Sequence, residues 1–162
     1  MAKVLSIHDP AMLELVTVLL QQGKKVQIRV SGSSMRPFLQ GGETVELAPV
    51  STVSLSRGDL LLHLNPTNSP LLHRLIRQRK QNGQIYLQSR GDNCAAFDAF
   101  VPAESIIARV ETVFIADAGK GGQKVIKLRR PMRRIQAYCI AGTILIKYYI
   151  RRCSDFYCHY GR

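Results

Sequence analysis

The sequence predicts a mainly β fold: an antiparallel, barrel-like sheet with one helix at the N-terminus and a second helix, flanked by basic residues, near the C-terminus. Two observations carry this prediction. Between about residue 24 and residue 128, short segments rich in Val, Ile, Leu and Tyr are separated by turn residues, with no helical pattern between them. The chain has 162 residues, 46% of them hydrophobic and 21% charged, which is enough for one folded core without disulfide bonds.

Residues 9–22 are predicted to form the N-terminal helix. Asp9 is a favourable N-cap, Pro10 suits the first turn, and Gly23 can end the helix. The apolar residues recur at the spacing of one helical face, which we expect to pack on the sheet. They are Met12, Leu15, Val16, Leu19 and Leu20.

The sequence pattern then changes to that of strands. Seven strands are predicted, at residues 24–30, 43–48, 59–65, 71–79, 84–89, 106–115 and 123–128. The strongest turn signal between them is Gln81-Asn82-Gly83, because Asn-Gly tolerates the positive φ angles of a tight hairpin. Short strands joined without intervening helices favour antiparallel pairing and a barrel-like sheet.

The C-terminal quarter of the chain differs in charge from the rest. Residues 1–117 carry 12 Lys/Arg and 10 Asp/Glu, a net charge of +2, whereas residues 118–162 carry 11 Lys/Arg and a single Asp, a net charge of +10. We therefore divide the chain into a β domain, 1–128, and a basic helical extension, 129–162. Its apolar centre, residues 135–146, spans only about 18 Å as a helix, short of the roughly 30 Å of a bilayer core.

Two interpretations of this extension stay open. The helix is buried against protein, or residues 129–152 lie on an anionic membrane surface. This pattern argues against nucleic-acid binding, since an apolar centre flanked by arginines is not a groove-reading sequence. No signal peptide is visible, so we expect a cytoplasmic protein, with peripheral binding at the inner face of the membrane as the further option. The four cysteines form no CxxC pair, and we expect neither a metal nor another cofactor.

The most informative motif is Ser31-Gly32-Ser33-Ser34-Met35-Arg36-Pro37, which directly follows the predicted strand at 24–30. A hydroxyl that attacks a carbonyl needs such a position, on a rigid strand end with free backbone N–H groups to bind an oxyanion. Serine-glycine turns are common, so the motif does not identify a nucleophile by itself.

A histidine and two aspartates follow the serines in the chain. His73 lies inside an apolar strand, where a histidine by itself is more often part of the core. Asp92, in Gly91-Asp92-Asn93, and Asp98 follow the predicted strand at 84–89. An imidazole can take the proton of a serine hydroxyl, and a carboxylate can hold that imidazole in the correct tautomer. The order Ser, His, Asp on one β scaffold is therefore what nucleophilic acyl transfer requires.

At these positions the sequence resembles the serine peptidases of the type I signal peptidase and SOS-repressor autopeptidase superfamily. Five short blocks occur in the family's order across residues 26–115, about 90 of the 162 residues. The blocks are Ser31 to Pro37, Gly58-Asp59, His73-Arg74, Gly91-Asp92-Asn93 with Asp98, and Ile106 to Val110. The resemblance implies that family's β fold and a serine endopeptidase that cuts a leader or signal-like peptide at a small residue.

The resemblance also implies roles for individual residues. Ser34, directly before Met35, matches the nucleophile, and His73 stands where many bacterial signal peptidases have a lysine base. Asp98 matches the third member of the triad and is favoured over Asp92 for orienting His73, although both stay open at this stage. The backbone N–H of Ser34 is expected to bind the oxyanion. The segment around it that is expected to contact the oxyanion or the substrate consists of Gly32, Ser33, Met35 and Pro37.

The chain departs from the family pattern in several ways. Many signal peptidases have a serine two residues before the nucleophile, where this chain has Gly32, so one hydroxyl donor is missing. Signal peptidases of this class carry a membrane anchor before the serine, and autopeptidase repressors carry a DNA-binding domain there. With 33 residues before Ser34 we expect neither, and the chain looks most like the small free-standing bacterial members. Lys80, beside the Asn-Gly turn, is a less favoured rival base. The alternative function is a non-catalytic peptide- or membrane-binding module that keeps the peptidase fold.

Overall fold

The computed structural model describes residues 9–51, 54–117, 122–128 and 139–143. A helix, α1 (Pro10–Gln21), precedes the strands of a single sheet. Within the described residues the strands are β1 (Val26–Arg29), β2 (Thr44–Ala48), β3 (Leu60–Leu64), β4 (Pro70–Gln81), β5 (Gln84–Arg90), β6 (Val101–Pro102), β7 (Ile106–Asp117) and β8 (Gly122–Lys127).

The strands pair antiparallel throughout the described sheet. Their order is β1-β2-β7-β3-β4-β5-β6, and β8 adds to β7 beside the end of β3. The sheet curls into a half barrel. The predicted mainly β, antiparallel architecture with an N-terminal helix is therefore confirmed, and each of the seven predicted strands overlaps a strand of the structure.

Helix α1 begins and ends as its sequence predicts. The Asp9 carboxylate accepts a hydrogen bond from the Ala11 N–H at 3.1 Å, and Pro10 occupies the first turn. Gly23 follows the helix with φ +77°, a conformation that glycine adopts without steric cost. Val16 and Leu20 are buried against the sheet, so the helix covers one side of the core.

Strand β3 runs through the centre of the molecule and is buried on both faces. Leu60 and Leu62 join the main core, which includes Met35 from the segment after β1, whereas Leu61 joins a second cluster with Leu75. Successive strand residues point to opposite faces, so a continuous apolar run such as Leu60-Leu61-Leu62 is what a doubly covered strand requires. This central strand places β4, and with it His73, in the interior.

Strand β6 is not predicted by the sequence, because a two-residue strand leaves no alternating pattern to recognise.

The predicted C-terminal helix lies outside the described residues except for 139–143, which are helical. In the described part of the chain, no helix is both long enough and apolar enough to cross a membrane. The predicted membrane-surface contact of residues 129–152 falls mostly outside the described residues and stays a prediction.

Candidate active site

Ser34 lies in the segment that links β1 to β2, which we call the serine loop (residues 31–42). Two apolar side chains fasten this loop to the main core: Met35 and Leu39 are 5% and 3% exposed. The Leu39 N–H also donates to the Met35 carbonyl at 2.9 Å, which closes a turn directly after Ser34. The hydroxyl is therefore carried by a segment whose neighbouring residues are anchored in the interior.

His73, on β4, lies between Ser34 and Asp98. Its Nε2 is 3.1 Å from Ser34 Oγ, and its Nδ1 is 2.8 Å from Asp98 Oδ2. The imidazole is buried, whereas Ser34 is only half-buried. The structure thus brings together a serine, an imidazole and a carboxylate in hydrogen-bonding contact, the arrangement that activates a serine hydroxyl.

Asp98 lies on the connection between β5 and β6, and the end of β5 holds it in place. The Asp98 N–H donates to the Ser89 carbonyl at 3.0 Å, and Gln88 Nε2 donates to the Asp98 carbonyl at 2.8 Å. Burial by itself opposes ionisation of Asp98, but hydrogen bonds from His73 and Ser89 outweigh it and lower the pKa of this carboxyl below its ordinary value. Asp98 is therefore a carboxylate at neutral pH, able to stabilise a positively charged imidazole.

Asp92 has a different partner from Asp98. Its two carboxylate oxygens accept from Arg74 Nε at 2.7 Å and Arg74 Nη2 at 2.6 Å. Both side chains of this pair are buried, at 2% and 4% exposure. Arg74 Nη1 also donates to the Gly58 carbonyl at 3.0 Å. Of the two aspartates that the sequence left open, Asp98 contacts His73, and Asp92 instead joins β4 to the turn that follows β5.

The turn after β5, residues 91–94, packs directly on the serine loop. The Asn93 N–H donates to the Ser34 carbonyl at 2.8 Å. A Cβ at Gly91 would lie 2.6 Å from Cys94 Sγ, 2.7 Å from the Ser34 carbonyl oxygen and 3.1 Å from His73 Nε2. These distances are too short for a side chain, so the approach of Ser34 to His73 requires glycine at position 91.

Gly91→Ala is therefore expected to slow the reaction of Ser34 with a serine-directed fluorophosphonate probe by at least about tenfold, because the added methyl displaces Ser34 from His73. Gly142→Ala is the matched control, since no atom of the described part of the chain lies near a Cβ at that position, within 4 Å. The second-order labelling rate of each variant measures the effect. Equal rates for the two variants would show that close packing at Gly91 is not needed.

The backbone around Ser34 offers a donor for an oxyanion. In the described residues, the Ser34 N–H has no hydrogen-bond partner, which leaves it available to a developing negative charge. Gly32, with φ +87°, Ser33 and Met35 line the same cleft as Ser34. Pro37, predicted to contact the substrate, is exposed and lies outside that lining.

The cleft beside Ser34 has a volume of about 350 Å³. It lies between the end of β1 with the serine loop on one side and the start of β4 on the other. Its walls are mainly apolar, and the acidic side chains of the site lie outside them. The apolar lining consists of Ile28, Val30, Met35, Leu39, Leu62, Pro70, Leu71 and Leu72. Such a cleft suits an extended ligand with uncharged side chains.

One wall of the cleft is an edge of β1, which among the described strands pairs with β2 alone. The Val30 N–H donates to the Glu43 carbonyl, and the Val30 carbonyl accepts from the Gly42 N–H, so Val30 faces β2. Because the hydrogen-bonding direction of a strand alternates, the backbone groups of Arg29 and Ser31 face away from β2. They form one unpaired edge.

The opposite wall is the first part of β4, which precedes the residues that pair with β5. Pairing with β5 starts at Arg74. The backbone of Leu75 bonds to Asp59 and Gly58 on the β3 side, and the alternation therefore turns the backbone of Leu72 toward the open side. Two strand edges thus border the cleft, and a peptide lying between them can hydrogen-bond to both.

Lys80, the rival base, lies far from Ser34. It is seven residues beyond His73 on β4, a separation of roughly 23 Å along an extended strand. There it is exposed and pairs with Ile85 of the neighbouring strand. His73 is the basic side chain that contacts the serine hydroxyl.

Two residues near this site were not identified from the sequence. Ser89 Oγ lies 2.6 Å from Asp98 Oδ2 and 2.7 Å from His63 Nε2. No spacing rule connects these residues, because they come from β3, β5 and the loop after β5 and meet only in the folded sheet. The one available signal was a second histidine inside a continuous apolar run, which is an unusual place for a polar ring.

Comparison with known proteins assigns no family: no protein-family model matches the chain, and no curated protein matches it significantly. The geometry of the site is therefore the main indication of its function.

Proposed function

We propose that this protein is a serine endopeptidase that cleaves a leader or signal-like peptide through an acyl-enzyme intermediate. The observation that supports it most strongly is the hydrogen-bonded series of Ser34, His73 and Asp98, with contacts of 3.1 and 2.8 Å. A serine hydroxyl is a poor nucleophile until an adjacent base accepts its proton. The resemblance to signal peptidases and SOS-repressor autopeptidases points to the same chemistry.

In the proposed acylation step, Ser34 Oγ attacks the scissile carbonyl carbon while its proton passes to His73 Nε2. Asp98, which accepts from His73 Nδ1, stabilises the imidazolium that forms. The negative charge moves to the carbonyl oxygen, where the Ser34 N–H can donate to it. When the C–N bond breaks, His73 returns the proton to the leaving amine.

Deacylation repeats these roles with water. His73 takes a proton from a water molecule while the oxygen of that water attacks the ester carbonyl. The proton is then delivered to Ser34 Oγ as the ester bond breaks. The enzyme returns to its initial state, and the peptide bond has been exchanged for a carboxylate and an amine.

The cleft indicates how a peptide substrate would bind. Its two unpaired strand edges, at Arg29 to Ser31 and at Leu72, favour an extended chain inserted as an additional strand. The apolar walls favour uncharged side chains on that chain. A preference for a small residue at the cleavage site follows only from the resemblance.

A fluorophosphonate probe separates this proposal from a binding module without turnover. We expect covalent labelling of the wild-type protein at Ser34, located by mass spectrometry of the proteolysed adduct, because an activated hydroxyl displaces the fluoride. Ser34→Ala is the required negative control, and Ser69→Ala, which removes an exposed hydroxyl outside the cleft, is the matched positive control. Absence of labelling in a folded wild-type protein would favour the non-catalytic peptide-binding alternative.

A further inference from the structure

A second buried histidine lies behind Asp98, on the side away from Ser34. His63, on β3, is 1% exposed, and Ser89, on β5, is 3% exposed. His63 Nε2 is 2.7 Å from Ser89 Oγ, which is 2.6 Å from Asp98 Oδ2. The same carboxylate oxygen contacts His73 Nδ1. The hydrogen-bonded series of the site therefore continues through two further side chains.

The direction of these bonds follows from counting protons. Ser89 has one hydroxyl proton and can donate it either to Asp98 or to His63. Ionised Asp98 can only accept, and a hydrogen bond to a charged acceptor is roughly twice as strong as a neutral one. The Ser89 proton therefore points to Asp98, and His63 Nε2–H donates to the Ser89 oxygen.

His63 is neutral in this arrangement. Burial lowers the pKa of its imidazole below the ordinary value, against smaller opposing contributions from the Leu64 carbonyl and the charge of Asp98. With its proton on Nε2, the 3.2 Å contact between His63 Nδ1 and the Leu64 carbonyl is not a hydrogen bond. The two shorter hydrogen bonds, from His63 to Ser89 and from Ser89 to Asp98, therefore form in place of the longer one to Leu64.

The ionisable groups that surround His63, Ser89 and Asp98 add no further charge to this hydrogen-bonded series. Among the described residues, Asp98 and His73 are the charged or titratable side chains that influence His63. Burial raises the pKa of the Cys94 thiol, which is therefore neutral, and Asp92 is paired with Arg74. The negatively charged Asp98 carboxylate thus accepts one hydrogen bond from His73 and one from Ser89.

We propose that Ser89 and His63 are positioning residues for the triad. His63 directs the hydroxyl of Ser89, and Ser89 holds Asp98 Oδ2 toward His73 and takes up part of its charge. This assignment rests on the proposed peptidase function, because it gives the two residues a role in that reaction. Without the Ser89 donor, Asp98 Oδ2 accepts from His73 alone and its full charge acts on the imidazolium, which then releases its proton to the leaving amine less readily.

Three variants of the full-length protein test this proposal: Ser89→Ala, His63→Leu and His63→Gln. Ser89→Ala is expected to slow Ser34 labelling by about tenfold, less than loss of the base itself. It also moves the acid limb of the labelling-against-pH profile upward by about one pH unit, since the imidazolium is more strongly stabilised. His63→Leu is expected to lower the labelling rate and raise the acid limb as well, but by less. His63→Gln is expected to stay close to wild type, because its amide N–H can replace the Nε2–H of His63.

The hydrogen bond between His73 and Asp98 is measured separately, in the free protein. Its Nδ1 proton is expected to resonate at low field in the ¹H NMR spectrum and to shift further downfield in Ser89→Ala, because Asp98 then accepts one hydrogen bond fewer. If Ser89→Ala is too unstable, the double variant with His63→Leu replaces it. Exchanging both buried partners for apolar groups is nearly neutral for stability, whereas one change leaves His63 Nε2–H unsatisfied.

The two readouts distinguish this inference from the proposed function. An unchanged low-field signal and an unchanged pH profile in Ser89→Ala overturn the positioning role, as does a His63→Gln variant that behaves like His63→Leu. A low-field signal that moves as expected, in a protein whose wild type does not react with the probe, supports the hydrogen-bond series and overturns the peptidase function alone.

Discussion

His73→Ala is expected to lower the rate of Ser34 labelling by about a thousandfold, and cleavage of a peptide substrate by a similar factor. The imidazole lies 3.1 Å from the hydroxyl, and its removal leaves no described base in contact with Ser34. Labelling rates at several probe concentrations, measured at a pH above neutrality, give the second-order constant. A circular-dichroism thermal melt checks that the variant is folded.

Lys80→Ala is the matched control for this experiment, since it removes the basic side chain of the rival dyad. We expect wild-type labelling, because Lys80 is exposed at the end of the β4–β5 hairpin and roughly 23 Å along the strand from His73. A Lys80→Ala variant that loses labelling while His73→Ala retains it would contradict the assignment of the base.

Asp98→Asn and Asp92→Ala are expected to fail in different ways. An asparagine at position 98 carries no negative charge, so it cannot stabilise the imidazolium that forms on His73 when Ser34 loses its proton. The expected loss of labelling rate is about a hundredfold in a folded protein, smaller than the loss from removing the base itself. Asp92→Ala instead leaves the guanidinium of Arg74 buried without its carboxylate, which costs about 3–5 kcal/mol of the free energy of unfolding.

Two measurements on each variant separate these effects: urea unfolding gives the free energy, and labelling under folding conditions gives the activity of Ser34. The expected pattern is a large rate loss with a small stability change for Asp98→Asn, and the larger stability change for Asp92→Ala. If Asp92→Ala were as stable as wild type and as slow as Asp98→Asn, the roles of the two aspartates would be reversed.

The structure gives a physical reason for the short sequence blocks that surround the candidate triad. Gly58 and Asp59 bond through their backbones to Leu75, and the Gly58 carbonyl also accepts from Arg74. Arg109, in the block at 106–110, lies 3.6 Å from the Asp59 carboxylate. These blocks hold β3, β4 and β7 in register beside the site, so they belong to its support.

Much of the fold could be predicted because its signals are local. The cap of α1, the apolar runs of the strands and the Asn82-Gly83 turn each depend on neighbours within a few residues, and each element appears close to its expected position. The exception, β6, is two residues long and is defined only by its pairing with β5. Its existence depends on a distant segment.

The residues of the candidate site fall on both sides of this division. Ser34 and His73 could be selected from the sequence, since a serine in a bend after a strand and a histidine inside an apolar strand are local features. The choice between Asp98 and Asp92 could not be made from local features, because both follow β5 within a few residues. It depends on which carboxylate reaches Nδ1 of His73 and which is taken by Arg74.

The sequence by itself determined the fold class, the order of the elements and the small set of side chains from which a serine-based site could be built. Periodicity, capping and turn chemistry act over short stretches of chain, and they are written directly in the residue order. The tertiary structure alone decided the pairing of Asp92 with Arg74, the contact of Asp98 with His73, and the series from Asp98 through Ser89 to His63. Hydrogen bonds between segments 9 to 39 residues apart depend on strand register and sheet curvature, which only the packed core specifies.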